Sequence, residues 1–348
     1  DTNLDLAVAN QGPDTVSILL GDGNGSFVVE VTPYPVSTDP QSVIFLHANN
    51  DDTIDLAVAC TGASVVSILL GVAVLFSPRV DYPTGVVPWM VVAADFNQDT
   101  NMDLAVANEG TNTISVLFGT GTGTFQAKVD YSVGANPTSL FAIDVNNDTF
   151  LDLSVATIGP DTVSVLLGTG DGKFRARADY PTGIDPYSIF VADINKDSNL
   201  DLITANFDDT VTVLFGNSGA SFDFKGTYAT LLDAVSVVAA DLNNDGNPDL
   251  AVADFSSAAV SVFLGIGNGA FQPVVHYPTG ANPRFVLAVD LNHDNILDLA
   301  VANSGTNTIS ILLGIVGGTF QSKVDYTVQT IPFSIAAFDL NQDTNLDL

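Results

Sequence analysis

A ten-residue string, Asp-x-Asn-x-Asp-x-x-x-Asp-Leu, returns along the whole chain at a nearly fixed period, and that period constrains the fold more than any other feature. Its central Asp falls at Asp51, Asp99, Asp148, Asp197, Asp245, Asp294 and Asp343, with Asp1 opening a truncated copy, so successive copies lie 48–50 residues apart. Two further columns keep the same phase. A Phe follows a turn at Phe27, Phe76, Phe125, Phe174, Phe222, Phe271 and Phe320, and a Tyr recurs at Tyr34, Tyr82, Tyr131, Tyr180, Tyr228, Tyr277 and Tyr326. Independent domains would not hold three columns in step over 348 residues.

Each unit reads as four short strands. In the unit near Pro88, Met90 to Ala94 is an apolar first strand, followed by the acidic loop 95–103. Leu104 to Ala107, Ile114 to Phe118 and Phe125 to Tyr131 follow as further strands, separated by Gly- and Asn-rich turns. No segment sustains a 3.6-residue apolar period, so almost no helix is expected. The period predicts an all-β fold, a seven-bladed β-propeller of four-stranded antiparallel blades, because radial closure leaves only short, protected strand edges. The chain starts in a second strand and ends just after a first strand. Residues 1–32 plus 333–348 are therefore expected to share the last blade, making 1–348 one propeller. The hexapeptide Asp1 to Leu6 recurs identically at Asp343 to Leu348, and only one copy fits that blade. The chain is expected to be a monomeric ring or a segment of a longer tandem array.

The acidic loops carry the chemistry. Six copies are complete: Asp95/Asn97/Asp99/Asp103, Asp144/Asn146/Asp148/Asp152, Asp193/Asn195/Asp197/Asp201, Asp241/Asn243/Asp245/Asp249, Asp290/Asn292/Asp294/Asp298 and Asp339/Asn341/Asp343/Asp347. Alternate residues at positions 1, 3 and 5 of a tight loop can point oxygens at one centre, and position 9 closes the cage. Position 7 holds Asn101, Phe150, Asn199, Asn247, Ile296 or Asn345, which suits a backbone carbonyl ligand. Hard oxygen donors without His or Cys favour Ca²⁺, with Mg²⁺ second. Asp and Asn also cap turns, but turns need one or two such residues, not four at fixed offsets. Three carboxylates in one small loop would repel without a cation. The copy with Asn49, Asp51 and Asp55 has His47 at position 1, a poor calcium ligand, and Asp1 and Asp5 belong to the truncated copy. Six to seven Ca²⁺ sites are expected.

Composition agrees. Acidic residues number 40 against 9 basic, a net charge of −31, yet 46% of residues are hydrophobic, enough for a large core. Such a chain lacks the basic face that nucleic acid requires, and an anionic membrane surface would repel it. The longest apolar run, near Val65 to Phe76, is too short to span a bilayer, so no membrane insertion is expected. A single cysteine, Cys60, excludes an internal disulfide framework.

With their Gly-x-Gly-x-Gly-x-Phe segments, such as Gly168 to Phe174 and Gly265 to Phe271, these loops resemble the FG-GAP/VCBS-type repeat of the integrin α-subunit propeller and of many secreted proteins. The resemblance implies a Ca²⁺ loop between the first two strands of each blade and, in integrin-like members, ligands on the opposite face. On that face the first strands begin with the variable residues Gln41, Trp89, Thr138, Tyr187, Val235, Arg284 and Phe333, near the mouth of the central channel. Gln41, Trp89, Tyr187, Arg284 and Phe333 are ligand candidates for a sugar or peptide, Trp89 foremost. Alternatively they pack between blades or plug the channel.

His47 and His293 fall inside acidic loops, His276 precedes a column Tyr, and no Ser or Cys nucleophile sits in a recognisable motif. The chain is therefore expected not to be an enzyme. It is expected to be a calcium-binding extracellular or cell-surface module for recognition or adhesion, because moderate-affinity calcium sites fill where calcium is millimolar. The alternatives are a purely structural repeat of a large surface protein and a polysaccharide-active enzyme.

Overall fold

The computed structural model describes residues 3–30, 32–72 and 75–338. Their only helical segments are two single turns, Glu109–Thr111 and Phe255–Ser257. The strands form seven antiparallel blades arranged as a ring, six of them contiguous in sequence. One such blade runs Pro88–Ala94, Asp103–Asn108, Thr113–Leu117 and Val129–Ser132 from the axis outward. The seventh is shared: Pro332–Phe338 pairs antiparallel with Asp5–Asn10, which continues to Thr15–Gly21 and its outer partners. The N-terminal hexapeptide copy thus supplies the second strand of this blade. Asp343 to Leu348 lies outside the described residues.

Each second strand reads Asp-Leu-Ala-Val-Ala-Asn or a near variant and is buried along its whole length. Alternate side chains in a strand face opposite sides, so Leu and Val point one way and the two Ala the other. In most inter-blade cores the large face of one second strand packs on the small face of the preceding one, an exception being Ile203, which stands beside Ala205 against Leu250 and Val252. Leu104 and Val106 meet Ala57 and Ala59, and Leu153 and Val155 meet Ala105 and Ala107. Across the closing joint Leu6 and Val8 meet Ala300 and Ala302. Large against small keeps a constant spacing between blades, and burying each Leu or Val contributes about 1.5–3 kcal/mol.

The Tyr and Phe columns have a shared explanation. Each column Tyr, on an outer strand, meets the column Phe of the following blade edge-to-face, with ring centroids 4.9–5.5 Å apart. Tyr326 on Phe27 completes the circle. The expected fourth strand from Phe125 is therefore too long. Phe125 makes only an isolated bridge with Gly119, its ring turned to Tyr82, and the strand begins at Val129.

Candidate functional site

First strands begin at one end of the channel and finish in the acidic loops, so those loops and the variable residues occupy opposite faces. In the 95–103 loop, Asp95 Oδ1 accepts the Asp99 N–H at 3.1 Å and Oδ2 the Thr100 N–H at 2.8 Å, while Asp99 Oδ1 accepts the Asn101 N–H at 2.8 Å. The loops starting at Asp144, Asp193, Asp241 and Asp290 repeat this pattern. As they stand the carboxylates serve the loop's own backbone. Among the described residues no three Asp, Glu, His or Cys side chains are gathered into a ready metal cage.

Position 3 corrects the simple picture of side chains aimed at one centre. Asn97 Oδ1 accepts the Asp99 N–H at 2.9 Å, and Asn195, Asn243 and Asn292 accept the N–H of Asp197, Asp245 and Asp294 at 2.9, 2.8 and 3.0 Å. The short Asn side chain thus closes a turn onto the residue two places on, the capping use of Asn that competes with ligation. Asn195 and Asn243 also donate Nδ2 to the position 5 carboxylates of Asp197 and Asp245, at 3.0 and 3.1 Å. Those amides offset part of the repulsion expected of the clustered acids. Asn49 spans to Asp51 in the same way, Nδ2 to Oδ2 at 2.6 Å. Each Asn oxygen keeps a second lone pair, so a cation at this position would share the oxygen with the backbone.

Position 9 is different. Asp103 is completely buried; its Oδ2 accepts the Phe96 N–H at 3.1 Å and its Oδ1 the Gly119 N–H at 2.8 Å, tying loop, second strand and third-strand turn together. A Cβ at Gly119 would stand 2.2 Å from the Met102 carbonyl, so only Gly fits there. Burial, aided by the carboxylates of Asp99 and Asp95 and opposed by the two N–H groups, pushes the Asp103 pKa up to about 6. Asp152, Asp201, Asp249 and Asp298 are raised to about 6 in the same way. Each is an anion short of counter-charge, and a cation facing it would relieve that. In the 144–152 loop the buried Oδ1 of Asn146 has no partner, unlike the other position 3 oxygens. An all-oxygen donor set, an orphaned acceptor and destabilised carboxylates suit a hard divalent cation such as Ca²⁺.

At position 7, two side chains turn away from their own loops. Asn101 Oδ1 accepts from Asn50 Nδ2 at 2.9 Å and Asn247 Oδ1 from Lys196 Nζ at 3.2 Å, each bond crossing to a neighbouring blade. Asn199 instead donates Nδ2 to Asp197 Oδ1 at 2.9 Å. The degenerate loop has its own arrangement: His47 Nδ1 lies 3.1 Å from the Thr53 carbonyl, which can only accept, so Nδ1 carries the proton. The imidazole thus engages the position 7 carbonyl. Asp55 and Asp5 keep the position 9 contact, accepting the Gly71 and Gly21 N–H groups, each at 2.8 Å. Asp1 and the Asp339, Asn341, Asp343, Asn345, Asp347 copy lie outside the described residues.

At the other face a repeated distortion aims the variable residues. In every blade the pairing of first and second strands shifts register at one residue, and these residues are Gln41, Trp89, Thr138, Tyr187, Val235, Arg284 and Phe333. A bulge leaves one residue unpaired and redirects its side chain. All seven line a single axial cavity of ≈ 210 Å³. The next residue is Ser in five blades, and Ser42, Ser139, Ser188, Ser236 and Ser334 each accept a backbone N–H from the following blade. Sequence reasoning found the mouth residues but neither the bulges nor this serine ring.

The side chains at the mouth contact one another. Trp89 meets Phe333 edge-to-face at 5.6 Å. The Arg284 guanidinium lies over two rings, 4.6 Å from the Phe333 centroid and 4.7 Å from that of Phe255, and its Nε donates to Ser304 Oγ at 3.3 Å. Burial pulls the Arg284 pKa below its usual value. Gln41 is 3% exposed and its Oε1 has no partner.

A family model for the FG-GAP-like repeat matches residues 95–155, 144–204, 193–252, 241–301 and 290–348, most of the chain. The chain belongs to the FG-GAP-like repeat family. No curated protein sequence matches this FG-GAP-like protein. Among solved structures it is similar to a candidate 6-phosphogluconolactonase of Bacteroides uniformis, at 14% identity over 97% of this chain and 100% of that one, with a TM-score of 0.76. The periplasmic gluconolactonase of Pseudomonas aeruginosa is 15% identical over 97% and 100%, with a TM-score of 0.71. An Agrocybe aegerita lectin described as recognising non-reducing terminal N-acetylglucosamine is 17% identical over 98% and 96%, with a TM-score of 0.62. At these identities the likeness is one of fold.

It nonetheless corrects the expectation that the chain is not an enzyme. Proteins described as gluconolactonases are built on the same ring over almost its whole length. The fold therefore does not exclude catalysis, nor does the missing nucleophile motif, because a positioned acid or base can activate water without a protein nucleophile. One serine does stand between an acid and a histidine: Ser261 Oγ donates to Asp254 Oδ2 at 2.5 Å and lies 2.8 Å from His276 Nδ1. Ser261 is completely buried, however. The same place in other FG-GAP-like units holds Asn108/Ser115/Asp130 and Asn303/Ser310/Asp325. The trio is a structural relay with its end groups exchanged. Among the described residues no helix is long and apolar enough to cross a membrane.

Proposed function

We propose that this FG-GAP-like protein is a calcium-loaded recognition module that takes its ligand at the mouth of the central channel. The observation that carries the proposal is the convergence of seven bulge residues on one cavity. Their identities change from blade to blade, whereas the residue before is Pro in six blades and the residue after is Ser in five. Variation between two near-constant neighbours, at the point where the seven side chains meet, suits a particular occupant, and bulges, aromatics and a desolvated Arg favour contact energy there. The N-acetylglucosamine lectin of similar fold makes a glycan the first ligand class to test, a protein the second.

In this proposal the oxygens of positions 1, 3, 5 and 9 and the position 7 carbonyl of each complete loop would hold one Ca²⁺, using lone pairs beyond those spent on N–H groups. The ion would neutralise the buried position 9 carboxylate and fix the rim from which the first strands run to the mouth. Sites of this kind fill where calcium is millimolar, so we assign the role to the cell surface or the extracellular space. Glycan and protein arrays probed in calcium should give hits that Trp89→Ala abolishes while the protein still melts cooperatively as a folded ring. Hits that survive Trp89→Ala, or none on either array, would sink the proposal.

A further inference from the structure

Arg284 poses a question of charge. In a chain of net charge −31, the five side-chain ion pairs among the described residues involve Arg79, Lys128, Lys173, Arg177 and Lys323. Of the remaining cations, Arg175, Lys196 and Lys225 are exposed; Arg284 alone is partly buried, and no carboxylate pairs with it. Two phenyl faces and one weak bond from Nε hold its plane, leaving the terminal nitrogens without a partner among the described residues. A desolvated guanidinium in that state is a preorganised fork for an oxyanion.

We propose that the cavity receives an anionic sugar, its acid group on the Arg284 fork and its ring against Trp89; this rests on the recognition reading above. Three observations narrow the class. At ≈ 210 Å³ the cavity falls below the roughly 300–1,000 Å³ of drug-sized sites, so it takes one monosaccharide-sized group. Gln41 Oε1, buried and unpartnered, can accept a sugar hydroxyl. The hydroxyl hydrogens of Ser42, Ser188, Ser236 and Ser334 have no acceptor among the described residues, while the aromatics suit the apolar C–H face of a pyranose. A short acidic peptide would satisfy Arg284, and its amides could use Gln41 and the serines, but it lacks the C–H ring face that the aromatics suit. Val87 and Ile331, both β-branched, hold φ of 56° directly before the Pro that leads to Trp89 and Phe333.

The test is calorimetric titration of the calcium-loaded chain with galacturonate, glucuronate, glucose 6-phosphate, galactose, glucose and a short Asp-containing peptide. The acidic sugars should bind at least tenfold tighter than the neutral ones, and the tighter of uronate and phosphate names the oxyanion. Arg284→Met should remove that preference, Arg284→Lys should retain part of it, and neither should move the melting temperature by more than a few degrees. Neutral sugars binding as well as uronates, with Arg284→Met silent, would overturn the anion assignment and leave the recognition reading intact. Binding of the peptide alone would overturn the sugar. If Arg284→Met does not fold, the ranking of acid over neutral sugars by the unaltered chain decides alone.

Discussion

Thr100 and Thr149 stand at φ of 71° and 73°, a left-handed backbone that β-branched residues rarely adopt, and the equivalent position 6 of the 241–249 loop is Gly246. Thr100→Gly should therefore raise stability by about 1 kcal/mol, read as a higher denaturation midpoint; no gain would show that the Thr side chain contributes something that offsets the strain. In the degenerate loop, His47→Asp should free the Thr53 carbonyl and add one calcium per chain, counted by mass spectrometry under native conditions. Asp254 makes a prediction in pH. Burial raises its pKa from 3.8 to about 6, with Asp209 adding to the rise and hydrogen bonds from Ser261 and Leu231 opposing it. An acid with a higher pKa folded than unfolded leaves the protein most stable where it is protonated, below about pH 4, and costs stability as pH rises through 6. His276 reaches it only through the Ser261 hydroxyl. Asp254→Asn restores the residue found in several other units and should gain about 1–3 kcal/mol near neutral pH, vanishing by about pH 4, in melting curves taken at both. An equal gain at both pH values would assign the effect to packing.

Strands obey a simpler rule, large face against small face. Ala105→Leu should force a second large side chain into the joint with Leu153 and Val155 and cost about 1–3 kcal/mol, whereas Leu104→Ala should open a void against Ala57 and Ala59 and cost about 2–5 kcal/mol. Joining the two in one chain should not rescue stability, because the changes act on opposite sides of the blade; a measured rescue would show that blades slide. At this level much was legible beforehand. The Asp columns, the alternation in Asp-Leu-Ala-Val-Ala-Asn and the spacing near 49 residues specify strand, face and blade, since each is a local pattern repeated. What escaped depends on neighbours one whole unit away. Nothing around Tyr131 announces Phe174, and the Phe125 ring left the fourth strand for an inter-blade pocket. The bulge at Trp89 arises from a register shift between two strands, which a run of apolar residues does not encode. The acidic loops were legible as Asp and Asn at fixed offsets, yet the turn of Asp95 and Asn97 toward backbone N–H groups depends on left-handed residues such as Gln98 that no composition rule singles out.

For the whole molecule, the calcium proposal has a countable consequence. A ligand that binds only the folded ring stabilises it by mass action, so each tenfold rise in free calcium above the dissociation constant adds about 1.4 kcal/mol per site. The slope of stability against the logarithm of calcium therefore counts linked sites, and chelation should lower the melting temperature; a curve unmoved by chelator would refute the calcium sites outright. The closing blade adds a different asymmetry. Its strands Asp5–Asn10 and Pro332–Phe338 make the same contacts as any other first and second strand. These two strands, however, lie more than 300 residues apart along the chain, where other first and second strands are joined by one short acidic loop, and closing so long a loop costs about 3 kcal/mol more. With like contacts and a longer loop to close, this joint should form last and open first. The ring behaves as a clasped bracelet, and amides of Asp5–Asn10 should exchange with solvent ahead of every other second strand.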